Sequence, residues 1–127
     1  MIRYLLDTDI VIYALTGQFP QMRPRFESRA PGDVAVSAVT FAELALGTAN
    51  GKPPTDDALK AFAALYSVVP FDEAAARVYA TLPFRRARFD RLLAAHALSI
   101  GAVVVSNNEA DFADVPGLAI ENWTLGD

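Results

Sequence analysis

Two short runs of the sequence are almost entirely apolar, and each ends on polar residues. Ile2–Leu6 stops at Asp7, and Ala102–Val105 stops at Ser106. Such runs are typical of strands buried on both faces, as in parallel sheets covered by helices. Helical segments lie between the strand-like runs, and parallel neighbours need such crossovers. The pattern predicts an α/β fold, a three-layer α/β/α sandwich around a mostly parallel central sheet.

The other elements are placed by caps, breakers and periodicity. Asp72 has the position of a helix N-cap, and Pro83 ends that helix. We expect further helices at residues 10–15, 23–29, 40–46, 58–66 and 89–100, further strands at 34–36, 68–71 and 118–120, and a helical turn at 111–113.

Size and composition limit the class of protein. The chain has 127 residues, of which 53% are hydrophobic, so we expect one domain over residues 1–127. No apolar run approaches the roughly 20 residues that span a bilayer, and the N-terminus does not resemble a signal peptide. Cysteine is absent, which fits a reducing cytoplasm. The net charge of −4 argues against a protein that coats nucleic acid.

Polar residues gather where the predicted strands end. In a parallel sheet these ends share one edge, which is where ligands bind in such folds. Two acids, Glu43 and Asp90, are expected on first helical turns. The residues after strands are Asp7, Thr8 and Asp9, then Ser37, then Ser106, Asn107 and Asn108.

Each acid also has a purely structural explanation. Asp7 can cap the first helix, Thr40 and Glu43 have the spacing of a capping box, and Asp90 suits a helix N-terminus. Taken together, however, carboxylates crowded at one sheet edge repel one another. Only two lysines are available, Lys52 and Lys60. A divalent cation, Mg²⁺ or Mn²⁺, resolves the crowding and assists phosphodiester hydrolysis.

Two further features are ambiguous from the residues alone. The arginines 85, 86, 88 and 91 flank Asp90 at a helix N-terminus, where positive charge is unfavourable. They fit phosphate contact and also a solvated face or a docking surface for an acidic protein segment. His96 is the only histidine, and its spacing from Leu92 and Ile100 favours a packed, hydrogen-bonded side chain over a catalytic one.

Five stretches of the sequence resemble PIN-domain ribonucleases, specifically the VapC toxins of bacterial toxin–antitoxin pairs. They are "YLLDTDIVIYAL", "VAVSAVTFAELALG", "VVPFDEAAARVYA", "FDRLLAAHALSIGAVVVSNNEADF" and "VPGLAIENW". They cover nearly the whole chain in the family's order. The "LDT" start and the "AAHA" helix together are specific, whereas either alone is weak.

The resemblance implies a set of site residues. Asp7, Glu43 and Asp90 would hold Mg²⁺ or Mn²⁺ around an attacking water. Asn108 falls at the family's fourth acidic position, and Asp111 is close enough in sequence to help electrostatically. The segment before Asp90 is shorter than in many relatives and is rich in arginine. Candidate RNA contacts are Thr8, Arg85, Arg86, Arg88 and Arg91.

The resemblance also implies an activity and partners. The chain would be a metal-dependent endoribonuclease that cleaves structured RNA of the tRNA or rRNA class. A cognate VapB-type antitoxin would block the acidic pocket and bind operator DNA. A homodimer is typical of these toxins.

Two alternatives come from other classes of protein. "LLDTDIV" also fits a haloacid-dehalogenase-like phosphatase, with Asp7 as nucleophile and Asp9 as general acid/base. That reaction needs a lysine, for which Lys60 is the remote candidate. The second alternative is a degenerate PIN fold that binds without catalysis, and asparagine at position 108 is its support.

Overall fold

The structure is a computed structural model that describes residues 1–83 and 88–126 and, at residue 88, the backbone alone. Within these ranges no helix combines the length and the apolar character needed to cross a membrane. The strands are β1 (Tyr4–Leu6), β2 (Val34–Ser37), β3 (Val68–Val69), β4 (Val103–Val105) and β5 (Ile120–Glu121). The α-helices are α1 (Thr8–Thr16), α2 (Arg23–Glu27), α3 (Ala38–Ala49), α4 (Asp56–Leu65), α5 (Glu73–Thr81) and α6 (Arg88–Ile100).

The strands form one parallel sheet in the order β3-β2-β1-β4-β5. The chain builds outward from β1 to β3 and then returns to add β4 on the other side of β1. The direction of winding therefore reverses between β1 and β4, the position at which such sheets open a crevice at their carboxyl edge. Leu5 pairs with Val104 across this boundary.

Alternate residues of the central strands point to opposite faces of the sheet. On one face, Tyr4, Leu6 and Val36 pack with residues of α1, α3 and α4. On the other, Leu5 and Ala35 pack with residues of α6. The central strands β1 and β2 are buried at every position. This confirms the predicted three-layer α/β/α sandwich, and it explains the unbroken apolar runs.

The predicted boundaries of α3 are wrong at both ends. Ser37 is the N-cap of this helix and accepts a hydrogen bond from the Val39 amide at 3.0 Å. Thr40 lies inside the helix, and its hydroxyl donates to the Leu6 carbonyl at 3.1 Å. The capping box is therefore absent, and Glu43 lies in the second turn. The helix also continues through Gly47, because a single glycine costs a helix only about 1 kcal/mol.

Other boundaries differ by a few residues. The third strand is only Val68–Val69, since Pro70 cannot extend the ladder. The C-terminal region has a 3₁₀ turn at Glu109–Asp111 and its strand at Ile120–Glu121. Asp72 caps α5 as expected, accepting from the Ala75 amide at 3.0 Å.

Candidate active site

Asp7 is the first residue after β1 and is buried, with 6% of its surface exposed. Its Oδ1 accepts from the Thr8 amide at 2.8 Å, and its Oδ2 accepts from the Ser106 hydroxyl at 2.8 Å. Its backbone amide donates to the Val105 carbonyl at 2.9 Å. The carboxylate is thus fixed at the boundary between β1 and β4. It caps α1, as the structural explanation requires, but capping accounts for only one of its oxygens.

Burial raises the pKa of Asp7 above the ordinary value for aspartate, and the charges of Asp9 and Asp111 raise it further. The bonds from Ser106 and Thr8 act in the opposite direction and stabilise the charged form. The site therefore holds a buried acid whose ionisation depends on two specific donors and is opposed by two neighbouring acids.

Glu43 projects from α3 toward the end of β1. Its Oε1 accepts from the Thr8 hydroxyl at 2.9 Å, a contact that joins residues 35 positions apart. Burial raises the pKa of Glu43, and the charges of Asp7 and Asp9 also raise it, while the Thr8 bond lowers it. The side chain of Thr8 thus positions Glu43 beside the buried aspartate.

Asp90 lies on the first turn of α6. Burial raises its pKa to about 6, with further contributions from the charges of Asp7, Asp111, Glu43 and Asp9. Interactions between charges in solvent are largely screened beyond about 10 Å. The four contributing acids and Asp90 therefore share one region, which we call the acidic cluster: Asp7, Asp9, Glu43, Asp90 and Asp111.

The residues after β4 lie beside Asp7 and Asp9, and Asp111 acts electrostatically as expected. Asn108 is exposed, and its Nδ2 donates to Asp9 Oδ2 at 2.9 Å. Its backbone amide donates to the Ser106 hydroxyl at 2.9 Å. Asp111, in the 3₁₀ turn, contributes to the raised pKa of both Asp7 and Asp90. Asn108 occupies the predicted fourth position in the sequence, and the turn that follows it brings Asp111 back toward the cluster.

The acidic cluster fits a divalent cation in its chemistry. Carboxylate oxygens are the preferred ligands of Mg²⁺ and Mn²⁺. In the described part of the chain, no lysine or arginine forms an ion pair with Asp7, Glu43 or Asp90. No three histidine, aspartate or glutamate side chains among these residues lie close enough together to hold an ion in their present conformations. Glu43 is turned onto Thr8 and Asp7 onto Ser106, so coordination requires carboxylates to turn inward.

The prediction that Arg91 contacts RNA is wrong. Its side chain is buried, with 4% of the residue exposed, and Nη2 donates to both carboxylate oxygens of Asp114 at 2.7 and 2.8 Å. At helical spacing, the residue after Asp90 faces away from the cluster, toward the segment that follows the 3₁₀ turn. Arg85, Arg86 and the side chain of Arg88 lie outside the described residues.

His96 is a packed side chain, as its spacing indicates. It is buried on α6, and its Nδ1 lies 2.7 Å from the Ser37 hydroxyl. The Phe71 ring meets it edge-on, with centroids 5.6 Å apart. Burial lowers the pKa of His96, and Asp72 opposes that shift. His96 therefore links α6 to Ser37 at the end of β2, and it is buried within the protein.

Comparison with known proteins assigns this geometry to a family. The family model for the PIN domain matches residues 4–118. The tRNA(fMet)-specific endonuclease VapC of Shigella flexneri is 31% identical, over 98% of this chain and all of that protein.

Solved structures agree over nearly the full length. VapBC2 from Rickettsia felis, bound to a DNA fragment from its promoter, superposes with a TM-score of 0.83 at 27% identity, covering 97% of this chain and 99% of that one. DNA-bound VapBC from Salmonella typhimurium gives a TM-score of 0.79 at 29% identity, with the same coverage.

Proposed function

Because the chain belongs to the PIN-domain family and matches its VapC ribonucleases end to end, we propose that its acidic cluster is the active site of a metal-dependent endoribonuclease. The enzyme is a toxin of the VapC kind, neutralised by a VapB antitoxin. The observation that carries the proposal is the placement of three carboxyl groups at the edge where β1 meets β4. Asp7 ends β1 and bonds to Ser106, Glu43 bonds to the adjacent Thr8, and the charges of both acids raise the pKa of Asp90. Structured RNA of the tRNA or rRNA class is the proposed substrate.

Asp7, Glu43 and Asp90 are the residues that would hold Mg²⁺ or Mn²⁺. A bound ion of this kind supplies an activated water and neutralises charge on the phosphate. The chain's own residues set the conditions for binding. Ser106 and the Thr8 amide donate hydrogen bonds that favour the charged form of Asp7 against the effect of burial, and the Thr8 hydroxyl orients Glu43. Thr8 remains a proposed RNA contact as well.

We infer that Asp111, rather than Asn108, supplies the fourth charge. Its effect on Asp7 and Asp90 supports this role, whereas Asn108 is exposed and bonded to Asp9. The support for a degenerate, binding-only fold was the missing fourth acid, and Asp111 removes that support. With five acids in the cluster, one or two ions are compatible with its charge.

The phosphatase alternative requires a lysine in the site, and its candidate, Lys60, is paired elsewhere. Lys60 lies on α4 with its side chain exposed, and it pairs with Asp56 at 3.0 Å one turn earlier. Asp9, the proposed general acid/base of that reaction, accepts a hydrogen bond from Asn108. The PIN family match over residues 4–118 accounts for the same motif without a phosphoaspartate.

The proposed protein partner follows from the similarity of this chain to the solved VapBC structures. The Rickettsia felis relative is VapBC2 bound to promoter DNA, and the Salmonella typhimurium relative is a DNA-bound VapBC. We therefore propose that a cognate antitoxin binds this chain and carries the DNA contact. Homodimer formation and a cytoplasmic site of action also belong to this proposal.

The test is cleavage of a total tRNA and rRNA pool by the purified chain in Mg²⁺ or Mn²⁺, repeated in EDTA. We expect discrete fragments that disappear in EDTA and in Asp7→Asn. Asp57→Asn is the matched control, because Asp57 is an exposed acid on α4, away from the cluster. Cleavage that persists in EDTA or in Asp7→Asn would contradict the metal mechanism, and an inactive parent chain would contradict the nuclease.

A further inference from the structure

A groove of about 420 Å³ opens directly beside the acidic cluster. It runs between α1, α3 and the start of α6, and its lining includes Thr8 and Glu43, which are hydrogen-bonded to each other in the site. Its volume lies within the range of about 300–1,000 Å³ that small ligands occupy. A phosphodiester held at the cluster would therefore place a flanking nucleotide at this groove.

The centre of the groove is apolar and includes two exposed side chains. Leu46 is 62% exposed and Phe89 is 47% exposed, and both line the groove. Within the described residues, Phe89 is the only aromatic among the exposed large hydrophobic side chains. It directly precedes Asp90 of the cluster. A ring in this position offers a flat face to a base, and such stacking is independent of base identity.

Lys52 adds a positive charge to the same groove. The loop that carries it is folded back onto the end of α3. The Lys52 amide donates to the Gly47 carbonyl at 2.9 Å, and the Thr48 hydroxyl donates to the Pro54 carbonyl at 2.7 Å. In contrast to Lys60, Lys52 has no ion-pair partner among the residues that the structure describes. Its ammonium is thus free to meet a phosphate.

We propose that this groove binds one nucleotide of the RNA next to the scissile phosphate, with its base stacked on Phe89 and a backbone phosphate on Lys52. The proposal rests on the ribonuclease function proposed above, and it names the substrate subsite of that function. The composition supports RNA over an apolar protein segment. The apolar centre is bordered by polar Thr8, Glu43 and Asn50, which suits a flat base with polar edges and a charged phosphate.

The first experiment measures RNA binding in an Asp7→Asn background, which prevents cleavage. The probes are a mixed-sequence single-stranded RNA decamer and a decamer of the same length made of abasic ribose phosphates. Phe89→Ala should weaken binding of the mixed decamer by about 5- to 100-fold, the usual loss for one stacked base. It should leave the abasic decamer unaffected, and Phe89→Trp should retain binding of both. Leu65→Ala, which removes an exposed side chain on α4 that does not line this groove, is the control.

The second experiment measures the salt dependence of binding. Lys52→Ala should weaken both decamers and reduce the slope of log K against log salt by about 0.7, the value for one phosphate contact on a single strand. Lys60→Ala should leave the slope unchanged, because Lys60 lies on α4 with Asp56.

Different failures have different meanings. If Phe89→Ala weakens both decamers equally, or neither, the stacking role is overturned while the nuclease proposal stands. Phe89→Ala could instead change the molar mass measured by light scattering while leaving RNA affinity unchanged. That result would identify the groove as an interface with a second copy of the chain and would also overturn the inference. If the Asp7→Asn chain binds neither decamer while the parent cleaves the RNA pool, only the subsite fails. If the parent also cleaves nothing, the proposed function fails with it.

Discussion

At the scale of single residues, burial and neighbouring carboxylates raise the pKa values of Asp7, Glu43 and Asp90. Asp7 is buried at the end of β1, and Asp90 has a pKa of about 6 because of burial and four like charges. The structure compensates with donors, of which Ser106 and Thr8 are the nearest to Asp7. One oxygen of Asp7 caps α1 by accepting from the Thr8 amide, and the other accepts from Ser106 beside the cluster.

Asp90→Asn should stabilise the metal-free protein at neutral pH and abolish cleavage. The folded-state pKa of about 6 exceeds the unfolded value of 3.8, so the native state binds the extra proton between these values. The free energy of unfolding of the parent therefore falls as pH rises through this window, and the variant removes that loss. Because the carboxyl is only half-buried, the gain at pH 7.5 should be on the order of 1 kcal/mol.

Denaturant unfolding at pH 4 and pH 7.5 measures this difference, with Asp57→Asn as the control acid on α4. We expect a gain at pH 7.5 that shrinks toward pH 4. An equal gain at both pH values would mean that the ionisation of Asp90 is not its cause.

Ser106→Ala should impair the site through Asp7. The lost hydroxyl leaves a buried carboxylate oxygen and the Asn108 amide without their partner, which costs about 1–3 kcal/mol of stability. The pKa of Asp7 should rise further, because the Ser106 bond stabilises its charged form. The measurement is the pH dependence of cleavage, whose acid limb should move to higher pH. Ser99→Ala, which removes a hydroxyl bonded within α6, should leave that limb in place.

At the scale of elements, the sequence predicts the sheet better than the helix boundaries. Strands β1 and β4 are recognisable because burial on both faces demands unbroken apolar runs. The start of α3 was missed because Ser37 serves both as the last strand residue and as the helix cap. Thr40 resembles a cap but bonds to Leu6 instead, a contact with another element that local spacing does not encode.

The same limit applies to the site. Asp7, Glu43 and Asp90 were predicted from motifs that lie at element ends, and the structure brings all three within each other's electrostatic reach. The roles of Arg91 and Asp111 depend on how a helix face and a 3₁₀ turn are oriented in three dimensions. The position of Asp111, three residues beyond Asn108, weakly indicates its place near the site. Nothing in the sequence indicates that Arg91 pairs with Asp114.

The contact between α6 and β2 should make stability depend on pH through His96. Burial lowers its folded-state pKa below the unfolded value of 6.5. The unfolded state then binds more protons, so the free energy of unfolding falls as pH decreases through and below 6.5. We expect the stability difference between the parent and His96→Gln to shrink as pH is lowered from 8 to 5, measured by urea unfolding. A difference that is constant across this range would contradict the role of a neutral, buried His96.

At the scale of the whole molecule, metal binding should be coupled to folding. An ion that binds the native cluster raises stability by mass action, by about 2.7 kcal/mol at 100 times its Kd. Mn²⁺ should therefore raise the melting temperature by several degrees at pH 7.5. The increase should be smaller at pH 5.5, where Asp90 must lose a proton to bind.

Thermal unfolding with and without Mn²⁺ at the two pH values tests this coupling. Asp7→Asn should remove the increase, and Asp57→Asn should retain it. An increase that survives in Asp7→Asn would place the ion elsewhere on the protein.

The hydrogen bond between Asp7 and Ser106 joins residues 99 positions apart, and this spacing has a consequence for protein synthesis. At about 5–20 residues per second, the ribosome releases Ser106 roughly 5–20 s after Asp7. Until then β1 has no β4 beside it, and Asp111 has not yet been made. The acidic cluster is therefore completed only when nearly the whole chain has been made, and any activity that depends on it begins after that point.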